Sequence, residues 1–270
     1  MVSTDNHPRT YPQEWTRPDR CSFAVRSFDS IEIWYDLYEG AAETLVVILP
    51  GFWRTRRHPS ISRFASILAD RGHSVAVVDL RGHGDSGGRF GFNRHEHLDA
   101  EAVIRDVRER RGPERIVVVG LSLGGAVAVS LAARTRENID GLILVSAVSD
   151  FEKIRPRLNP LELPRHLSWG QAFRWPRFVW SFFSSPKLVA AAEIERVSAP
   201  ACMIHVVDDW LIDHRHSEEL HASHPGCSEL HLMEIPGGHH ADRIFSVAPG
   251  RVESIIDRFL ERHLKRSTRG

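Results

Sequence analysis

Within the 270-residue chain, Gly120-Leu121-Ser122-Leu123-Gly124 is the segment whose residue types and spacing point most directly to chemistry. It follows the apolar run Ile116-Val117-Val118-Val119 and precedes the small, apolar stretch Ala126–Ala133. A strand that turns sharply into a helix forces the residue at the turn into a strained backbone conformation. Glycines two before and two after it keep side chains out of the crowded bend. The turn presents the Ser122 hydroxyl at a helix N-terminus, where free N–H groups and partial positive charge favour a developing anion. With Gly and Ser each near ~7% of residues, chance would give this pattern roughly 0.1 times in such a chain. The strand before it and the helix after it raise its weight further. A serine nucleophile needs a base, and the base needs an orienting carboxylate. Sixteen histidines leave the base open on residue type alone.

The elements that must position Ser122 are legible from hydrophobic rhythm. Phe23–Arg26 and Ile31–Tyr38 read as two strands joined at Phe28-Asp29-Ser30. From Thr44 onward come short apolar runs rich in Val and Ile: Leu45–Leu49, Ser74–Val78, Ile116–Val119, Leu142–Val145, Ala201–Val207 and Leu230–Ile235. Their lack of alternation predicts strands buried on both faces. Between them lie amphipathic patterns built on Ile61, Phe64 and Leu68, and on Leu98, Val103 and Val107. A closing helix over Val252–Leu264 carries Ile255, Ile256, Phe259 and Leu260 on one face. Strand–helix alternation predicts an α/β fold, with a mostly parallel central sheet covered by helices on both faces. Sites in such sheets lie beyond the carboxyl ends of the strands.

The stretch 151–197 breaks this rhythm. It shows no clear strand, holds three Trp and five Phe, and is punctuated by five prolines. A separate domain of that size would be hard to stabilise alone. It reads as an aromatic-rich insertion over the carboxyl edge of the sheet, a lid. The expected organisation is a poorly ordered lead-in (1–20), a first core part (21–150), the lid (151–197) and a second core part (198–270).

Composition narrows the class. Lys+Arg and Asp+Glu are equal at 35 each, which gives no electrostatic reason to expect nucleic acid or an anionic membrane as partner. No run approaches the roughly 18 apolar residues of a membrane span, and the polar, Pro-containing start carries no apolar signal core. Three dispersed cysteines, Cys21, Cys202 and Cys227, fit reduced thiols. A cytoplasmic location is the expectation; composition sets no oligomeric state.

Several segments in order resemble the α/β-hydrolase family over about residues 23–264. Beside the Ser122 turn, Asp79-Leu80-Arg81-Gly82-His83-Gly84-Asp85-Ser86 is similar to that family's D-x-R-G-x-G-x-S loop. The resemblance implies the chain order Ser, acid, His. It aligns the acid with Asp209 in Asp208-Asp209-Trp210-Leu211-Ile212, with Asp208 the neighbouring alternative. It aligns the base with His239 in Pro236-Gly237-Gly238-His239-His240, with His240 as the alternative. It also aligns the oxyanion-binding N–H groups with Leu123 and with Phe52 in Pro50-Gly51-Phe52-Trp53. Pro50 stands where the family commonly has His, which leaves the backbone donor intact. Trp53 and Trp210 are the candidate pocket residues.

The implied activity is hydrolysis of a carboxylic ester of an apolar small molecule through a seryl acyl-enzyme, with no cofactor and no metal. The same triad also serves thioesterases, acyltransferases and carbon–carbon bond hydrolases, and a receptor can keep the fold without turnover. His214, His216, His221, His224 and His231 invite a metal reading, but no Cys or carboxylate at ligand spacing completes a set; an exposed helix explains them. His95-Glu96-His97 reads as the start of a solvated helix. No Gly-rich loop fits a dinucleotide or a P-loop.

Overall fold

The computed structural model describes residues 20–40, 43–155, 177 and 188–264. Eight strands form one sheet: β1 (Arg20–Arg26), β2 (Glu32–Tyr38), β3 (Thr44–Leu49), β4 (Ser74–Val78), β5 (Arg115–Leu121), β6 (Gly141–Val145), β7 (Ala201–Val206) and β8 (Ser228–Met233). Their order is β1-β2-β4-β3-β5-β6-β7-β8. β2 runs antiparallel to both β1 and β4, and every pairing from β4 to β8 is parallel. Every strand expected from the sequence is present, with ends displaced by a few residues. The largest displacement is at β1, which starts at Arg20 rather than Phe23, and β8 stops at Met233 rather than Ile235.

The apolar runs are buried on both faces, as their composition requires. In β3, Leu45, Val47 and Leu49 join one core while Val46 and Ile48 join the other. The first core is closed by α2 (Glu96–Arg111) and α3 (Leu123–Arg134). The second is closed by α1 (Pro59–Asp70) and, after the short helices α4 (Ala190–Glu193), α5 (Arg215–Ser223) and α6 (Ile244–Val247), by α7 (Pro249–Leu264). On α7 the buried stripe is Val252, Ile255, Ile256, Phe259 and Leu260, the face read from its spacing.

Most of the expected lid, residues 156–176 and 178–187, lies outside the described residues, as does the lead-in up to 19. The two ends of the stretch pack inward: Phe151, Ala190, Ile194 and Val197 are buried in the first core. Arg177 exchanges backbone hydrogen bonds with Gly82 (2.8 Å) and Phe90 (2.7 Å), on the loop that leaves the carboxyl end of β4.

The start of α2 differs from the solvated face read in the sequence. Glu96 is fully buried and His97 nearly so. The Glu96 carboxylate folds back to accept from the backbone N–H groups of Gly91, Arg94 (2.8 Å) and His95 (3.0 Å). The motif therefore serves as a cap, because unbonded N–H groups at a helix start need an acceptor.

Candidate functional site

Ser122 stands between β5 and α3 with φ 54° and ψ −118°, a region that side-chain-bearing residues adopt only when the surroundings enforce it. The glycines around it explain how. A Cβ at Gly124 would stand 2.1 Å from the Leu49 carbonyl oxygen, one at Gly120 would stand 2.5 Å from Gly125 Cα, and one at Gly125 would stand 2.4 Å from Ala147 Cβ. The turn closes only because those three side chains are missing. The Ser122 side chain is almost buried, and its backbone N–H continues the ladder to the Val145 carbonyl (2.9 Å).

The histidine that reaches it is His240. Its Nε2 lies 2.8 Å from Ser122 Oγ, and its Nδ1 lies 2.7 Å from Asp209 Oδ2. His239, the residue aligned by the resemblance, does not enter this chain, which moves the reading by one position. The cause lies in the turn before it. Gly237 and Gly238 both take positive φ, 99° and 58°, and a Cβ at Gly237 would sit 3.3 Å from His239 Nε2. The His239 ring thus lies back beside the turn. The next residue, His240, is extended at φ −110° and ψ 134° and projects its side chain the other way, toward Ser122. Ala241 N–H then donates to Ser146 Oγ at 3.2 Å, at the carboxyl end of β6.

Of the two adjacent aspartates, Asp209 is buried and Asp208 exposed. Asp209 Oδ1 accepts from the N–H groups of Leu211 (2.9 Å) and Ile212 (3.1 Å), while Oδ2 accepts from His240. A second histidine, His205, brings its Nε2 to 3.5 Å from Oδ2 while bonding the Ile212 carbonyl at 3.0 Å. Burial alone would raise the Asp209 pKa, but His240 and His205 outweigh it and hold the carboxyl well below its usual range. Asp209 is therefore an anion that orients a proton on His240 Nδ1, leaving Nε2 to accept from the serine hydroxyl.

The loop after β3 passes directly over the serine. A Cβ at Gly51 would lie 3.0 Å from Ser122 Cβ and 3.6 Å from Oγ, so the following amide, that of Phe52, is in the expected neighbourhood. Leu123 is the first residue of α3, and its N–H has no carbonyl within the helix to bond. Phe52 rests on buried His83 and Phe90, at centroid distances of 5.5 and 5.7 Å. Trp53, at positive φ and 42% exposed, lies tilted against Phe52 at a centroid distance of 5.1 Å. Trp210 meets His240 edge-on at 6.4 Å.

Sequence reading did not find the polar groups that brace this loop. Arg54 Nε donates to Asp242 Oδ1 at 2.9 Å, and Ser60 Oγ donates to Oδ2 at 2.5 Å. The fully buried Arg56 spans Asp36, Asp79 and Asp85. In the D-x-R-G loop, Asp79 and Arg81 hold their surroundings through separate partners: Asp79 takes Arg56, and Arg81 takes Asp99 and Asp29. Nothing in the local sequence links Arg54 to Asp242 or Arg56 to Asp36; only the fold does.

The histidines near α5 are hydrogen-bonded within the fold. His214 reaches the Val207 carbonyl (3.0 Å), His216 reaches Ser149 Oγ (2.7 Å), His221 reaches Ser228 Oγ (2.7 Å) and His224 reaches the Ala199 carbonyl (3.0 Å). His216 and His224 are buried, so the exposed-helix explanation fails for those two.

The sheet order, its helices and the serine turn define an α/β hydrolase. The comparisons then give the family. A model described as serine aminopeptidase, S33, matches residues 40–179, just over half of the chain, and the protein belongs to that family of α/β hydrolases. A lysophosphatidylserine lipase of Danio rerio is 25% identical over 197 residues, covering 70% of this chain and 49% of that protein. The chain thus spans about half the length of the lysophosphatidylserine lipases it matches. An uncharacterized membrane protein of Saccharomyces cerevisiae is 24% identical over 95% of this chain and 84% of its own length. Among the described residues, no helix is long and apolar enough to cross a membrane. An esterase structure from Pyrococcus furiosus superposes with a TM-score of 0.75 at 21% identity, covering 96% of this chain and 97% of that one; at that identity the likeness speaks for the fold.

Proposed function

We propose that the protein is a serine hydrolase that cleaves a carboxylic ester of an apolar small molecule. The observation that carries this reading is the continuous chain Ser122 Oγ–His240 Nε2–His240 Nδ1–Asp209 Oδ2, with both bonds under 3 Å. His240 takes the serine proton as Oγ attacks the ester carbonyl. Asp209 fixes the imidazole tautomer and stabilises the imidazolium. The N–H groups of Phe52 and Leu123 receive the negative oxygen. His240 returns its proton to the departing alcohol, then activates a water that releases the acid from Ser122. The half-exposed Trp53, and Trp210 edge-on to His240, offer apolar surface beside the serine, which supports an apolar acyl or alkyl group. The similarity to a lysophosphatidylserine lipase and to an esterase supports ester over amide chemistry.

The test is turnover of p-nitrophenyl esters from acetate to laurate, beside aminoacyl p-nitroanilides, by wild type and Ser122→Ala. Ester turnover abolished by the substitution is the expected result. Amide turnover without ester turnover would replace the reading with a peptidase. Folded protein with no turnover on either series would defeat it.

A further inference from the structure

At the amino ends of β7 and β8, on the far end of the strands from Ser122, a second group of reactive side chains converges. Cys202 of β7 is paired in register with Glu229 of β8, and His231 lies two residues further along the same face. One ligand atom from each of these three lies within 4.8 Å of the others. Glu229 Oε2 is 3.2 Å from His231 Nε2. The last turn of α7 adds His263, whose Nε2 is 3.7 Å from Glu229 Oε1 and is buried without a hydrogen-bond partner. Its ring is held by Phe259 at a centroid distance of 4.8 Å.

We propose that Cys202, Glu229, His231 and His263 form a binding site for a divalent, thiophilic cation of the zinc type, clamping edge strand β8 to the end of α7. A thiolate, a carboxylate and two imidazoles are a donor set that tetrahedral zinc takes and that harder cations such as Mg²⁺ do not. The charges balance, because a 2+ ion beside one thiolate and one carboxylate leaves a neutral site that tolerates burial. Buried beside Glu229, Cys202 is a neutral S–H before a cation arrives. On binding, the Cys202 proton leaves to solvent, the S–metal bond forms, and no oxidation state changes. Arg262, which pairs with Glu229, is 61% exposed, and an ion pair at that exposure is weak enough for a cation to replace. An ion-pair cluster alone accounts for Glu229, Arg262 and the histidines; Cys202, packed in the second core, adds a thiol within ligand reach of Glu229 and His231. Sequence spacing hides this set, since its members come from three separate elements.

The experiment uses the full chain, freed of metal by chelator. Zn²⁺ is titrated in competition with a chromophoric chelator, and Cd²⁺ is titrated while the near-ultraviolet thiolate-to-metal charge-transfer band is followed. The expected result is one equivalent bound, a Cd–thiolate band and a melting temperature raised by Zn²⁺. Cys202→Ala should abolish the band and weaken Zn²⁺ by more than about 100-fold, beyond the loss typical of an outer-shell partner. The double variant Cys21→Ser, Cys227→Ser, which removes the two exposed thiols, should change neither. Should Cys202→Ala fail to fold, His231→Ala, at a half-exposed edge position, must weaken Zn²⁺ by at least about 10-fold. Absence of the band, or Zn²⁺ binding that survives these substitutions, would overturn the proposal and assign any uptake to surface histidines.

Discussion

Arg54 and Asp242 are separated by 188 positions in the chain, and their side chains meet at 2.9 Å. Arg54 follows the Phe52-Trp53 turn above the serine, and Asp242 follows His240 by two residues. One hydrogen-bonded ion pair therefore ties the proposed oxyanion loop to the base-bearing loop. Asp242 is buried, and although burial would raise its pKa, Arg54 and His58 outweigh it and hold the carboxyl low.

Asp242→Asn should therefore act on geometry rather than on substrate affinity. With the charge-assisted bond weakened, both loops gain freedom, and misplacement by an ångström can cost on the order of 10² in rate. The expected outcome is a kcat lowered by about 10- to 100-fold with KM changed little, and a stability loss of about 2 kcal/mol for a bond to a charged group. Steady-state kinetics and thermal melts check it. A raised KM at constant kcat would show that Asp242 contacts substrate instead.

The two adjacent histidines should separate by orders of magnitude. His240→Ala is expected to lower kcat/KM by at least ~10³, as removal of a triad member does. His239→Ala, which removes a ring lying beside the Gly237 turn, should retain most activity. Equal losses would return the base to the choice the sequence left open.

That one-residue shift shows where legibility ends. The strands, the buried face of α7 and the serine turn are written in hydrophobic period and glycine spacing, which act locally. Whether His239 or His240 points inward depends on the φ signs of Gly237 and Gly238 and on where β8 stops, and those are set by packing against the Asp208 loop. A Cβ at Gly238 would stand 2.4 Å from the Asp208 carbonyl oxygen. The Arg54–Asp242 and Arg56–Asp36 pairs were illegible for the same reason: charge partners distant in sequence leave no periodic trace. Asp209 came into view only through the resemblance to α/β hydrolases, with Asp208 beside it as the alternative, and its second histidine neighbour, His205, leaves no mark in the sequence.

Acid should unfold the protein in two stages. Burial drives the His83 pKa down to about 4, against ~6.5 when unfolded. Between those values the unfolded chain binds a proton that the folded chain does not. Stability therefore falls as pH drops from about 6.5 to 4, by about 3 kcal/mol for this group, and then levels. Asp209 and Asp242 have lowered pKa values when folded. Their contribution is fully present above ~3.9 and is lost only as pH falls further, toward their folded values. Melts of wild type and His83→Asn at pH 7, 5 and 3.5 check this. The variant should lose less stability than wild type between pH 7 and 5, and should follow it below 4. An unchanged upper slope would assign the first stage to other buried histidines.

Two inactive variants should differ in stability because of the backbone at the nucleophile. At φ 54° and ψ −118°, any residue with a Cβ stores about 1–3 kcal/mol of strain. Ser122→Ala loses the hydroxyl but keeps the Cβ, so the strain remains. Ser122→Gly releases it, and the greater freedom of glycine in the unfolded chain takes back about 0.5–1 kcal/mol. The glycine variant should thus be more stable than the alanine variant by about 1 kcal/mol, a melting temperature about 2–4 °C higher for a chain near this size. Denaturant titration of the pair measures it directly. A less stable glycine variant would mean that the turn holds Ser122 without strain, and that the flanking glycines serve close packing alone.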